Sequence, residues 1–320
     1  MRASLLRRLL LGLAAAAIAA PVPGAAAQAP RPFEFSQVHM GLPVRILLYA
    51  PNQRRAERAA QSAFARITEL EAILSEDRDD SEVRRLAAAG TKWTPVSPDL
   101  LEVITAAAGV ARATDGAFDP TVSPLVALWR TAREKGELPS PAALETARAL
   151  VGWQHLEIDR ARGAVRLAKP GMRLDLGGIA KGYVLQEALR TLRSAGLGRA
   201  LVESGGDIVV GSGPPGLAGW RVEAPGASGD FRRRAGELTN AALAASGSDD
   251  QFVEIGGARY SRFVDPRTGL GVTNQVMARV IAREAPIAEA LATALSVTGP
   301  EGAARILEKY PDVLISLAVK

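Results

Sequence analysis

Leu174-Asp175-Leu176-Gly177-Gly178-Ile179-Ala180-Lys181-Gly182-Tyr183 joins a strand-like approach to a glycine-opened helix and leaves a carboxylate and an ammonium at the junction. Glycines let backbone approach a ligand closely, and the first N–H groups of the following helix are unpaired donors at the positive end of its dipole. Lys181 adds a mobile positive charge, so the stretch reads as a seat for phosphate. A glycine pair before a helix also serves as a plain tight turn. The choice between the two readings therefore falls to the company the stretch keeps.

Three further clusters of Gly with Asp accompany it: Thr114 to Thr121, Ser204-Gly205-Gly206-Asp207 and Phe263-Val264-Asp265-Pro266-Arg267-Thr268-Gly269. The Asp-Pro steps at Asp119 and Asp265 favour an extended residue followed by a turn, which holds each carboxylate at a bend instead of inside a helix. Other chemistry is scarce. There is no cysteine, which excludes thiol nucleophiles, thiolate metal sites and disulfides. The two histidines, His39 and His155, stand at no metal-ligand spacing, and His155 in the strand-like run Trp153 to Ile158 reads as a surface or satisfied side chain. Any metal here is a hard ion held by oxygen, which means magnesium or calcium.

At 320 residues the chain is long enough for one large domain or two small ones. Its first residues stand apart. Arg2, Arg7 and Arg8 precede an apolar run from Leu9 to Ala20 and the small residues Ala25-Ala26-Ala27, the order of a secretory signal peptide over residues 1–27. The run is too short for a spanning helix, and no cysteine follows for lipid attachment. A soluble, unlipidated periplasmic protein of residues 28–320 is the expectation. Loss of those three arginines takes the net charge from +5 to +2, so basicity is no argument for nucleic acid. The remaining basic residues, including Arg232-Arg233-Arg234, lack interleaved aromatics and read as solvated faces.

The order of elements is α+β. Alternating apolar residues predict a strand pair across Met40-Gly41-Leu42-Pro43, then helices over Ala56–Leu74, from Ser81, from Ser97-Pro98 to Thr114, and over Val184–Ala195. Strands are predicted near Leu156–Ile158, Val165–Leu167, Ala200–Val202, Ile208–Val210, Trp220–Val222, Ala242–Ala245, Arg259–Val264 and Val276–Ile281. Helices over Pro286–Val297 and Glu301–Tyr310 and a strand over Val313–Ala318 close the chain. In the first of these helices Glu289 and Thr293 are four apart and share a face. They are either a helix start with a helpful acid or a pair of oxygens offered to a hard cation, with the Ala180 carbonyl as a third donor.

The ordered motifs resemble the FAD:protein FMN transferases, the ApbE-type flavin transferases. The resemblance runs from Met40-Gly41 to Glu289-Ala290-Leu291-Ala292-Thr293-Ala294, through Asp115 to Leu125 with Trp129, Asp175 to Tyr183, Gly205-Gly206-Asp207-Ile208, Ser246-Gly247 and Asp265 to Gly269. It implies an ApbE-like, T-fold-like architecture of mixed sheets with helices packed on them. It also implies magnesium-dependent transfer of FMN from FAD to a Ser or Thr hydroxyl in the flavinylation motif of an acceptor protein, with release of AMP. Magnesium would be held by Ala180, Glu289 and Thr293. Met40, Asp77, Ala117, Phe118, Asp119, Asp175, Gly177, Gly178, Lys181, Gly206, Asp207 and Val264 would line the flavin and nucleotide site.

Three positions depart from the family pattern. Arg262 stands where the family has a histidine thought to deprotonate the acceptor, and an arginine stays protonated. Asp77 replaces an aromatic residue of a Ser-Thr-Tyr segment, and Glu289 replaces an aspartate. The catalytic set is thus Lys181, Arg262 and Asp265, with Asp265 or Asp207 as the group left to take the proton. FAD hydrolysis to FMN and AMP, or flavin binding without catalysis, are the alternatives. A dinucleotide dehydrogenase is disfavoured, because Gly177-Gly178 is not part of a G-x-G-x-x-G fingerprint.

Overall fold

The computed structural model describes residues 29–222, 236–247 and 252–319. The expected signal peptide and the run Arg232-Arg233-Arg234 lie outside the described residues. Strand β1 (Arg31–His39) turns back into β2 (Leu42–Ala50) through Met40 at φ 52° and Gly41 at φ 71°. Two left-handed residues are what a two-residue hairpin needs. Met40 is not glycine, and its conformation is held by its N–H, which donates to the Glu71 carboxylate on helix α1 (Gln53–Leu74).

Helices α2 (Glu82–Ala88) and α3 (Pro98–Ala113) flank the short strand β3 (Thr94–Pro95), and both are capped by serine. The Ser81 and Ser97 hydroxyls accept from the N–H groups of Arg84 and Leu100. Helices α4 (Ser123–Lys135) and α5 (Pro141–Arg148) follow, then β4 (Leu156–Asp159), β5 (Ala164–Leu167) and α6 (Ala180–Ser194). Strands β6 (Ala200–Ser204), β7 (Asp207–Val210), β8 (Trp220–Arg221), β9 (Glu237–Leu238), β10 (Ala241–Gly247), β11 (Phe252–Ile255), β12 (Ala258–Ser261) and β13 (Val276–Ala282) come next. Helices α7 (Ala285–Thr298) and α8 (Glu301–Lys309) and strand β14 (Leu314–Val319) end the described chain.

The main sheet has seven strands in the order β1-β2-β6-β7-β10-β13-β14, with every neighbouring pair antiparallel. Alternation along β2 sends Val44, Ile46, Leu48 and Ala50 into the core under α1, α6 and α7. The opposite face carries a smaller cluster, in which Leu201, Ile208, Val210 and Leu243 pack beneath Trp220 and Leu238 of the β8–β9 hairpin. This is the expected α+β arrangement of helices on sheets. Among the described residues no helix is long and apolar enough to cross a membrane.

Three local expectations are corrected. Helices α4 and α5 were not foreseen, because their buried stripes are thin: Leu125, Trp129 and Ala132 in one, Ala147 in the other. Trp153-Gln154-His155 forms a 3-10 turn, with the strand beginning only at Leu156. Helix α6 starts at Ala180, four residues before the predicted Val184, with Gly182 inside its first turn.

Gly182 has a packing reason for being there. A Cβ at this position would stand 2.5 Å from the Ala285 carbonyl oxygen at the start of α7. Glycine to alanine in a helix ordinarily gains about 1 kcal/mol, but here the neighbour is backbone, and forcing atoms into a filled contact costs about 1–3 kcal/mol. Gly182→Ala is therefore expected to lower the unfolding free energy in urea; a variant as stable as the parent would show that the crossing yields.

Candidate active site

The α6–α7 crossing brings the separate motifs to one place. Glu289, one turn into α7, accepts a 2.7 Å hydrogen bond from the Gly182 N–H through Oε2, and its Oε1 lies 3.9 Å from Lys181 Nζ. Lys181 Nζ is 2.9 Å from Asp207 Oδ2, an ion pair without a well-aligned hydrogen bond. Asp207 Oδ1 accepts from the Ala245 N–H. The β6–β7 turn is Gly205-Gly206, at φ 55° and 94°. A Cβ on Gly205 would stand 3.6 Å from Lys181 Nζ and 2.8 Å from Leu42, so the hairpin that carries Met40 comes alongside as well. A Cβ on Gly178 would meet Thr293 Oγ1 at 3.1 Å and the Phe118 ring at 3.2 Å. Gly178 is the floor between those two side chains.

Electrostatics follows from burying two carboxylates with one ammonium. Burial pushes Glu289 up to about 8, and Asp207 adds to the push while Lys181 and the Gly182 N–H oppose it. Asp207 is likewise raised, first by burial, against the pull of Lys181. Burial alone would lower Lys181, but its attraction to Glu289 and Asp207 prevails and raises it. The cluster is short of positive charge.

The Asp-Pro turn at Asp119 serves the framework. Asp119, 5% exposed, accepts from the N–H and hydroxyl of Thr121 and from the Trp153 N–H, at 2.7–2.9 Å. Thr121 in turn accepts from Gly152, and the Asp175 N–H donates to the Pro120 carbonyl over 2.7 Å. Ala117 and Phe118 are buried in the core, Phe118 reaching the site only at its ring edge. The second Asp-Pro turn is anchored by Trp129, whose indole donates to the Gly269 carbonyl. Val264 is buried against Trp129, and Asp265 is gripped by Arg267 through its N–H, Nε and Nη2. The Asp265 carboxylate is committed within its own turn.

A second group of charges is linked to Asp175. Asp175 is half-buried, and its Oδ1 accepts from the Gly177 N–H at 2.8 Å. Asp77, just past the end of α1, is exposed. Glu76, next to Asp77 in the chain and passed over by sequence reasoning, has its carboxyl pushed up by burial and then by the charge of Asp175, with Ser123 and Arg130 opposing. Arg262 is exposed, its guanidinium 4.8 Å from the Phe263 ring, and its charge reaches Asp175, Lys181, Asp207 and Glu289. Arg133 donates to the Arg262 carbonyl. The signal available in the sequence was the spacing of Ser123 and Arg130, seven apart and so on one face of a helix. His39 is a satisfied core histidine, paired with Glu71 and stacked on Phe64.

The family model described as the ApbE family matches residues 40–316. The chain belongs to the ApbE family. It is 29% identical over 287 residues to an FAD:protein FMN transferase of Klebsiella pneumoniae, covering 88% of each chain. It is 30% identical to an FAD:protein FMN transferase of Treponema pallidum, over 88% of this chain and 83% of that one. Among solved structures the apo form of the Pseudomonas stutzeri flavinyl transferase ApbE superposes with a TM-score of 0.80 at 28% identity, covering 91% of this chain and 92% of that one.

Glu76 gives a stability test for the charge group. Burial, and next the charge of Asp175, push its carboxyl up to about 8, against Ser123 and Arg130. A carboxyl raised on folding supports the fold fully below its unfolded value, and that support is lost as pH rises through the folded one. Glu76→Gln is expected to raise the melting temperature relative to the parent at pH 9 and to change it little at pH 5. Equal shifts at both pH values would contradict the burial argument.

Proposed function

We propose that this chain transfers FMN from FAD to a Ser or Thr hydroxyl of an acceptor protein, with release of AMP, outside the cytoplasm. The observation that carries this reading is the meeting of Lys181, Asp207, Glu289, Thr293 and Gly178 at the first turn of α6. Exchange at a pyrophosphate needs positive charge at the phosphates and an aligned oxygen nucleophile, with no thiol or histidine in a covalent role.

The donor set fits magnesium. Among the described residues no three acidic, histidine or cysteine side chains gather into a metal site, so the carboxylate of Glu289 would act with the Thr293 hydroxyl and the Ala180 carbonyl. Magnesium binds in that manner, through one or two carboxylates with water and substrate phosphate completing the shell. Its shortage of positive charge marks the Glu289 cluster as a place for a cation. When bound, the ion neutralises developing phosphate charge.

The chain's own residues do the rest. Lys181 holds its charge against the phosphates, and Asp207 keeps the ammonium from swinging away. Gly177 and Gly178 expose backbone where side chains would block the approach. Phe118 supplies an apolar edge beside the phosphates. Arg262 adds a second fixed positive charge to the cleft, which favours FAD capture.

Incubation of the purified chain with FAD, magnesium and an acceptor is expected to give AMP together with covalent flavin on the acceptor, resolved by chromatography and mass spectrometry. Chelation with EDTA and Glu289→Ala are each expected to reduce AMP release at least about 100-fold, consistent with the loss of a charge-neutralising group. AMP with free FMN alone would make the chain a hydrolase, and bound intact FAD would make it a flavin-binding protein.

A further inference from the structure

The turn between β6 and β7 leaves two buried polar atoms open. Ser204 and Asp207 flank Gly205-Gly206 and stand opposite each other in the register of the strand pair. Directly opposed residues of an antiparallel pair have Cβ atoms about 4.5–5.5 Å apart on one face of the sheet. That face is the one beneath the helices: Ala200 and Val202 precede Ser204 at every second position, Val209 follows Asp207 likewise, and all three belong to the main core. Ser204 and Asp207 are each 2% exposed. Among the described residues neither Ser204 Oγ nor Asp207 Oδ2 has a hydrogen-bond partner.

Buried hydroxyls and carboxylates are ordinarily hydrogen-bonded, and one left open lowers the stability of a fold. Lys181 accounts for the carboxylate. Its Nζ lies 2.9 Å from Asp207 Oδ2 and beside the turn, where a Cβ on Gly205 would stand 3.6 Å from it. The lysine side chain is 21% exposed and the aspartate 3%, so Lys181 is the member of the pair that reaches the cleft. Asp207 cannot follow it, because Oδ1 is fixed by the Ala245 N–H at 3.0 Å. When the ammonium turns its donors to a phosphate, a buried carboxylate oxygen loses its closest cation, which is costly. The facing Ser204 hydroxyl reaches that oxygen by rotation about its own Cα–Cβ bond.

We infer that Ser204 is a positioning residue for FAD capture: as Lys181 turns to the FAD phosphates, the Ser204 hydroxyl donates to Asp207 Oδ2 and takes over the contact that Lys181 loosens. The inference rests on the transferase reading, which brings the phosphates to Lys181. The new hydrogen bond has an ionised acceptor, which makes it one of the stronger kind. Because it forms only with FAD in place, it adds to FAD affinity and not to the stability of the chain by itself. Asp207 stays where it is, so Lys181 keeps its anchor while it serves the phosphates.

The test uses the full chain in magnesium chloride. FAD affinity is read from quenching of flavin fluorescence, the melting temperature is taken with and without FAD, and AMP and flavinyl-peptide are followed with a peptide presenting one threonine hydroxyl. Ser204→Ala is expected to weaken FAD binding about tenfold, the usual worth of a hydrogen bond to a charged group. KM for FAD is expected to rise in proportion, with kcat within about threefold of the parent, as for an interaction made equally in the bound ground state and the transition state. Without FAD the variant is expected to melt at or above the parent's temperature, since an open buried hydroxyl has been removed. In an Asp207→Ala background the same change is expected to alter FAD affinity less than about twofold, because the acceptor is gone. Ser204→Ala with the parent's FAD affinity overturns the inference. So does a variant that melts below the parent without FAD, because the hydroxyl is then bonded before FAD arrives. In both cases AMP and flavinyl-peptide from the parent leave the transferase reading standing, whereas a parent that binds no FAD overturns both.

Discussion

Everything in the cleft depends on how closely α6 approaches α7. Only glycine at position 182 allows the Ala285 carbonyl to come so near the α6 backbone, and that approach brings Glu289 onto the Gly182 N–H. A helix N-terminus has unpaired donors and partial positive charge, so a carboxylate is stabilised there. The carboxylate then draws Lys181, the neighbouring residue, back toward it and toward Asp207. A wider crossing would leave Glu289 and Thr293 facing solvent on a distant helix. The nearly all-round burial of α7, with Ala288, Ala290, Leu291, Ala292, Ala294 and Leu295 fully covered, is what keeps the crossing from relaxing.

The loops are fixed by a different device. Asp119 uses both carboxylate oxygens to bind backbone and hydroxyl donors from two segments, and Pro120 then receives the Asp175 N–H. Burial disfavours the Asp119 charge, and these three donors oppose that penalty. The Asp175 stretch is thereby referenced to the turn at Phe118, and both to the β4–β5 region through Trp153. Rigid loops carrying few side chains of their own are a means of holding a large ligand by backbone.

Much of this was legible in the sequence where the physics is local. The hairpin at Met40-Gly41, the serine caps at Ser81 and Ser97, and the Gly-Gly turns at 177–178 and 205–206 each follow from a short string of residues. Their gathering into one cleft followed from the ordered family resemblance, and no single spacing announces it. What stayed hidden depends on tertiary contact. Helices α4 and α5 bury too little to show a period, although Ser140-Pro141 repeats the cap signal of Ser97-Pro98. Glu76 looks like one more acid in the run Glu76 to Asp80, and nothing in that run shows that it is partly buried and feels the charge of Asp175, distant in the chain.

Arg262, at the position where the resemblance implies a histidine, sets the charge balance around Lys181. A neutral imidazole would leave Lys181 as the principal cation near Asp207 and Glu289, whereas Arg262 adds a permanent charge felt at both of them and at Asp175. Arg133 registers that crowding: burial first, then Arg130 and Arg262, lower its pKa. Arginines gathered at this density are stable only with anions close by, and Glu76, Asp77 and Asp175 supply them. Arg262 and the buried carboxyls that feel its charge are thus one electrostatic arrangement.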